Sequence, residues 1–182
     1  MKHLLYLAIA LQAAPPEAIF LRVIVDRDAL SLDSLTLRQF ETSFLEPALH
    51  RFYQAGIRLP TLAGEGGIRL GQDCLVEMRG MDPCHVNVIL TDRLPSCWGA
   101  GLPAVSLLRG RAVVVVIGVL DARSSHNTVP HQLLHALMGH PYRQRFGIGA
   151  IWNEIAVEAM AGALRLGLPM PWNWIFRRRP CE

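Results

Sequence analysis

Asn127-Thr128-Val129-Pro130-His131-Gln132-Leu133-Leu134-His135-Ala136-Leu137-Met138-Gly139-His140 is the stretch on which the reading of this chain turns. It carries the punctuation of a helix. Asn127 or Thr128 can cap its start, and Pro130 falls in the first turn, where a missing N–H costs nothing. Gly139 is placed to end it. His131 and His135 are four residues apart, so a helix sets both imidazoles on one face, one turn apart. Two neutral imidazoles so placed can share one Zn²⁺, each at about 2.0–2.1 Å.

Working outward from that helix, the apolar run Ala112 to Leu120 is mostly valine and reads as a buried strand leading into it. Upstream, Ile19 to Asp26 is β-branched and predicts another strand. Ser34 to Ala55 has apolar residues three and four apart, from Leu37 to Phe52, and predicts a long helix capped by Ser34 or Thr36. Pro47 should bend or split it. Leu59 to Gly71 reads as a loop with at most a short strand at Ile68–Leu70. Leu75 to Met78 and His85 to Leu90 read as strands, and Thr91 to Leu108 reads as a rim loop because of its prolines and glycines. Ile151 to Leu166 predicts a last helix. Strand, long helix, several strands, helix, helix predicts one α+β domain, with the helices on one side of a mixed sheet.

The chain of 182 residues can build a real core, with 51% apolar and 18% charged residues and a formal net charge of +3. Such a composition excludes a disordered or strongly charged tail protein. The short run Arg177-Arg178-Arg179 reads as a solvated end, so no nucleic-acid partner is expected. Met1 to Ala14 has a short charged start, an apolar run from Leu4 to Leu11 and small residues after it. That pattern predicts a signal peptide over 1–14 and export to the periplasm or beyond, with a single domain over 15–182. The competing reading is an ordinary N-terminal segment of a cytoplasmic protein. The run is too short for a membrane span. Cys74, Cys84, Cys97 and Cys181 contain no Cys-x-x-Cys, which argues against a thiolate metal site. In an exported chain the favoured pairs are Cys74–Cys84 and Cys97–Cys181; reduced, buried thiols are the alternative.

A zinc site that does chemistry wants a third protein ligand and an open position. Nineteen residues after His135 comes Glu154, and four after that Glu158, on a segment otherwise small and apolar. Their spacing puts both carboxylates on one helix face, where burial is costly unless a cation meets them. Glu154 then becomes the third ligand. Glu158 accepts the second N–H of a ligand histidine, and Asn153 can cap the helix. His140, nine residues after His131, is the competing third ligand. The remaining reading has no metal, with the histidines in neutral hydrogen bonds. His50, His85 and His126 belong to no such constellation.

The ordered set His-x-x-x-His, then Asn-Glu-x-x-x-Glu, resembles the gluzincin branch of the zincin metallopeptidases, and covers roughly residues 19–166. The resemblance implies a zincin-like mixed sheet with a long backing helix, an active-site helix and a glutamate-bearing helix. It also implies Zn²⁺ held by His131, His135 and Glu154, and a peptide or protein substrate. The short tail after Leu166 resembles the minimal, single-domain members. One position departs from the family: where it has the glutamate of His-Glu-x-x-His, this chain has Gln132. That glutamate moves a proton from activated water to the leaving amine, and an amide can do neither. Zinc binding is therefore expected to survive and turnover to fall by on the order of 10²–10⁴. A peptidase substituted at this position and a natural pseudo-peptidase that binds peptides or proteins both fit. Tyr142, His140 and Arg143 are candidates to stabilise an oxyanion, and Trp98, Trp152, Trp172 and Trp174 to line a groove.

Overall fold

The computed structural model describes residues 18–26, 32–70, 76–98, 101–139 and 148–168. The expectations for the signal peptide, for Cys74 and Cys181, for His140, Tyr142 and Arg143, and for Trp172, Trp174 and the arginine run lie outside the described residues.

The first strand, β1 (Leu21–Val25), is followed by a long helix in three pieces: α1 (Ser34–Phe40), a π-helical turn (Glu41–Leu45) and α2 (Glu46–Gln54). The irregularity expected at Pro47 takes this form. Pro47 has no N–H to give the Ser43 carbonyl, and the wider turn just before it absorbs the missing bond. The cap is Asp33 rather than Ser34 or Thr36: its carboxylate accepts the Thr36 N–H at 2.6 Å. Then come β2 (Thr61–Gly64), the hairpin pair β3 (Gly67–Leu70) and β4 (Val76–Arg79), β5 (Val86–Thr91), β6 (Ala104–Arg109) and β7 (Ala112–Gly118). A short α3 (Val119–Ala122) leads to α4 (Thr128–Leu137), and α5 (Ile148–Arg165) closes the described part.

The main sheet runs β2-β1-β5-β7-β6. The first four strands are mutually parallel, and β6 lies antiparallel to β7 at one edge, with Ser106 opposite Val115. The fold is thus mixed α and β around a mostly parallel sheet. β5 and β7 are buried at every position, as central parallel strands covered on both faces must be.

Period-two alternation sorts the strand residues between two cores. Val86, Val88, Leu90, Val113, Val115 and Ile117 join Phe40, Phe52, Leu133, Leu137, Val157 and Leu164 in the helix-side core. Ile24, Ile89, Val114 and Val116 join Ile68 of the β3–β4 hairpin on the other face. The expectation of helices on one side holds, and the hairpin fills the second side. Arg22 ties that hairpin down by donating to the Gly80 carbonyl. Gly80 sits at φ +76°, where a side chain would also strike the Glu65 carbonyl.

Two expectations fail. Residues 59–71 are not mainly loop, since they supply β2 and β3. Residues 91–108 are not all rim loop either, since they end in β6, the sheet edge next to α4. Pro95, Gly99, Gly101 and Pro103 dominated that reading, yet they end just before the six-residue strand Ala104–Arg109, which pairs along its whole length with β7. Among the described residues no helix is long and apolar enough to cross a membrane.

Candidate metal centre

α4 buries Val129, Leu133, Leu134 and Leu137 against the sheet. Its opposite side carries His131, Gln132 and His135, each half-buried. Asn127 stands at the N-cap without a side-chain capping bond. Gly139, at φ +68°, follows the helix end in the left-handed conformation that terminates helices, as expected.

α5 buries Val157, Met160, Ala161 and Leu164, spaced to make one stripe. Glu154 and Glu158 stand beside that stripe, four residues apart, and face α4. α5 begins at Ile148, so Asn153 lies inside it and does not cap it. The glutamates are not buried either. Their side chains keep 56% and 66% of their exposure, against 13% for each histidine. What distinguishes them is where they meet.

Glu154 Oε1 is 3.0 Å from His131 Nε2, and Glu154 Oε2 is 3.0 Å from His135 Nε2. The two Nε2 atoms are themselves 3.1 Å apart. Glu158 Oε1 lies 3.0 Å from His131 Nδ1. The structure therefore brings together the four residues that the sequence nominated, from two helices.

The donor set decides what can sit there. Glu158 stands where it can accept an Nδ1–H of His131, the arrangement that would leave Nε2 free as a ligand atom. That Nε2 faces a second imidazole nitrogen and a carboxylate oxygen, all near 3 Å. Carboxylate oxygens stand at both nitrogens of His131, and a neutral imidazole has a single N–H, so one of the two contacts calls for a second proton or a cation. A tetrahedral shell bonded at about 2.0–2.1 Å sets neighbouring ligand atoms roughly 3.3–3.4 Å apart, so an opening of a few tenths of an ångström suffices. His131, His135 and Glu154 thus form a group that can hold a metal ion, their ligand atoms all within 4.8 Å of one another.

One residue escaped the sequence. Ser106 of β6, buried, directs its one Oγ–H at Gln132, shared between the main-chain carbonyl at 2.8 Å and Oε1 at 3.0 Å. Reading 91–108 as loop hid it; alternation through Ala104, Ser106 and Leu108 would have turned it toward the helix layer.

No family model, curated protein or solved structure matches this chain. The site's own geometry therefore carries the functional reading.

The other candidate residues make different contacts. His126 stacks on Phe44 with ring centroids 4.7 Å apart, His85 Nδ1 is 2.8 Å from Asp82 Oδ2, and His50 is exposed. Trp98 packs on the hairpin-side core, while Trp152 is exposed on α5. Cys84 and Cys97 are not free thiols, and the pairs expected for them involve residues outside those described.

Proposed function

We propose that this protein binds a divalent metal, zinc by preference, in a peptidase-like centre whose hydrolytic step is blocked at Gln132. The observation that carries the reading is the convergence of His131 Nε2, His135 Nε2 and Glu154 within 3.0–3.1 Å, with Glu158 behind His131. Two nitrogens and one carboxylate oxygen suit zinc, and leave a fourth position for water or ligand. Zinc held there would supply Lewis acidity to a bound carbonyl or water.

The protein's own part is legible from its side chains. Glu158 fixes the His131 tautomer and strengthens its donor nitrogen. α4 and β6 flank the group, and β6 is the edge strand among the described residues, a place where an extended peptide can add main-chain hydrogen bonds. Gln132 occupies the position from which a base would act. Its amide cannot take up a proton near neutral pH, so hydrolysis is lost while the metal group stays whole.

Elemental analysis of metal-replete protein should find about one zinc per chain, as a single three-residue site requires. Gln132→Glu should then raise cleavage of casein or a quenched peptide by on the order of 10²–10⁴. Bound zinc without any gain in cleavage favours the second reading, a non-catalytic module that binds peptides or proteins through the same cleft. The observation on that side is the anchoring of Gln132 by Ser106. Chain with no zinc removes both.

A further inference from the structure

Gln132 is not simply a base with its charge removed. Its side-chain carbonyl oxygen is 3.0 Å from Ser106 Oγ, and Ser106 is 4% exposed, fixed in β6 by pairing with β7. The Gln132 NH₂ group donates to no partner among the described residues. On α4, residue 132 stands roughly 60° round the axis from His135 and 100° from His131, so it borders the same face.

We propose that Gln132, held by Ser106, converts the centre into a receptor for a carboxylate, one oxygen directed to the metal and the other accepting from the Gln132 NH₂. The proposal rests on the metal-binding reading above and names its ligand class. Water bound at such a site needs an acceptor nearby for its proton, and Ser106 has turned the only acceptor of the Gln132 side chain away. A carboxylate needs the opposite: positive charge and a hydrogen-bond donor. A divalent cation with two neutral imidazoles and one carboxylate keeps a net positive charge, and the NH₂ supplies the donor. Charge-assisted bonds of this kind are the stronger class, so the pair discriminates between an acid and its neutral amide. The source of the carboxylate is a peptide C-terminus or a small organic acid; both present the same two oxygens.

The test uses the full chain loaded with Co²⁺, whose visible absorption reports changes among its ligands. Acetate, a tripeptide with a free C-terminus and the same tripeptide as its C-terminal amide are titrated in turn. The spectrum should move with acetate or with the acid tripeptide and stay still with the tripeptide amide. Movement with the acid tripeptide alone assigns the site to peptide C-termini, and movement with acetate as well assigns it to carboxylates at large. Ser106→Ala should weaken the response about three- to tenfold, the worth of one hydrogen bond, with Co²⁺ affinity unchanged. Gln132→Glu should weaken it tenfold or more through like-charge repulsion. Equal response to the tripeptide amide, or undiminished acetate binding in both variants, overturns the proposal while leaving the metal site standing. Absence of any Co²⁺ spectrum overturns the metal reading and this proposal together.

Discussion

Asn87 and the histidine–glutamate cluster are two polar groups that this fold holds in opposite ways. Asn87 lies wholly buried in β5. Its Oδ1 accepts the Asp82 N–H at 2.9 Å, and its Nδ2 donates to the carbonyls of Asp82, His85 and Val113 at 2.7, 3.1 and 3.2 Å. Every donor there meets an acceptor, so Asn87 needs nothing from outside. At the other group, two ring nitrogens and a carboxylate meet with fewer N–H donors than contacts in neutral rings, at a half-exposed rim between two helices. Complementary partners mark a polar residue that serves the fold; two imidazoles and a carboxylate converging within 3.1 Å make a group that could hold a cation.

That contrast can be broken by mutation, beginning where the effect is largest. His135→Ala should lower zinc affinity on the order of 10²–10³-fold, one ligand's share of the roughly 10–16 kcal/mol of a four-ligand zinc site. Competition with a chromophoric chelator reads it out, and metal-free stability should stay within about 1 kcal/mol of the parent. Unchanged affinity would mean that protons, not metal, hold the cluster together.

Asn87→Ala should do the reverse. It strands the Asp82 N–H and the Val113 carbonyl, costing about 2–3 kcal/mol in the denaturant midpoint, with zinc affinity unaltered. If zinc binding fell as well, the two regions could not be treated separately.

Glu158→Ala sharpens the picture from the metal side. Losing the partner of His131 Nδ1 should weaken zinc tenfold to a hundredfold, less than losing a ligand. Calorimetric titration of both variants ranks them; a larger loss at Glu158 would exchange its role with that of Glu154.

The smallest effect belongs to Asp33, an exposed cap outside both regions. The Thr36 N–H, above all, holds its carboxyl below the usual carboxylate range. A folded value below the unfolded one near 3.9 makes this contribution complete above that pH, and it fades as pH falls through the lowered value. Asp33→Asn should therefore flatten the acid side of the stability curve slightly, measured by melting temperature below about pH 4, and leave zinc binding at neutral pH untouched.

Much of the site was legible in advance because its pieces are helical. A four-residue interval means one face of one helix, wherever the helix lies, so His131 with His135 and Glu154 with Glu158 could be paired on paper. Burial is less legible than spacing. An apolar neighbourhood in sequence led to the expectation of buried carboxylates, yet Glu154 and Glu158 sit at the edge of the α5 stripe and remain more than half exposed. The strands at residues 61–64 and 104–109 escaped because short edge strands carry weak patterns beside strong turn residues. With β6 went Ser106, the residue that orients Gln132.

Composition and periodicity, by themselves, determined the mixed α and β class, the long helix bent at Pro47, the buried valine strand and the four side chains with metal-binding chemistry. These are local properties, set by repeats of two and of 3.6 residues and by what each side chain can donate or accept. Only the tertiary structure decided that the two helices bring those side chains to within 3.1 Å, and that the antiparallel edge strand fixes the amide between the histidines. Sheet order and helix docking come from burying both faces of one sheet at once, and that is a property of the whole chain rather than of any window in it.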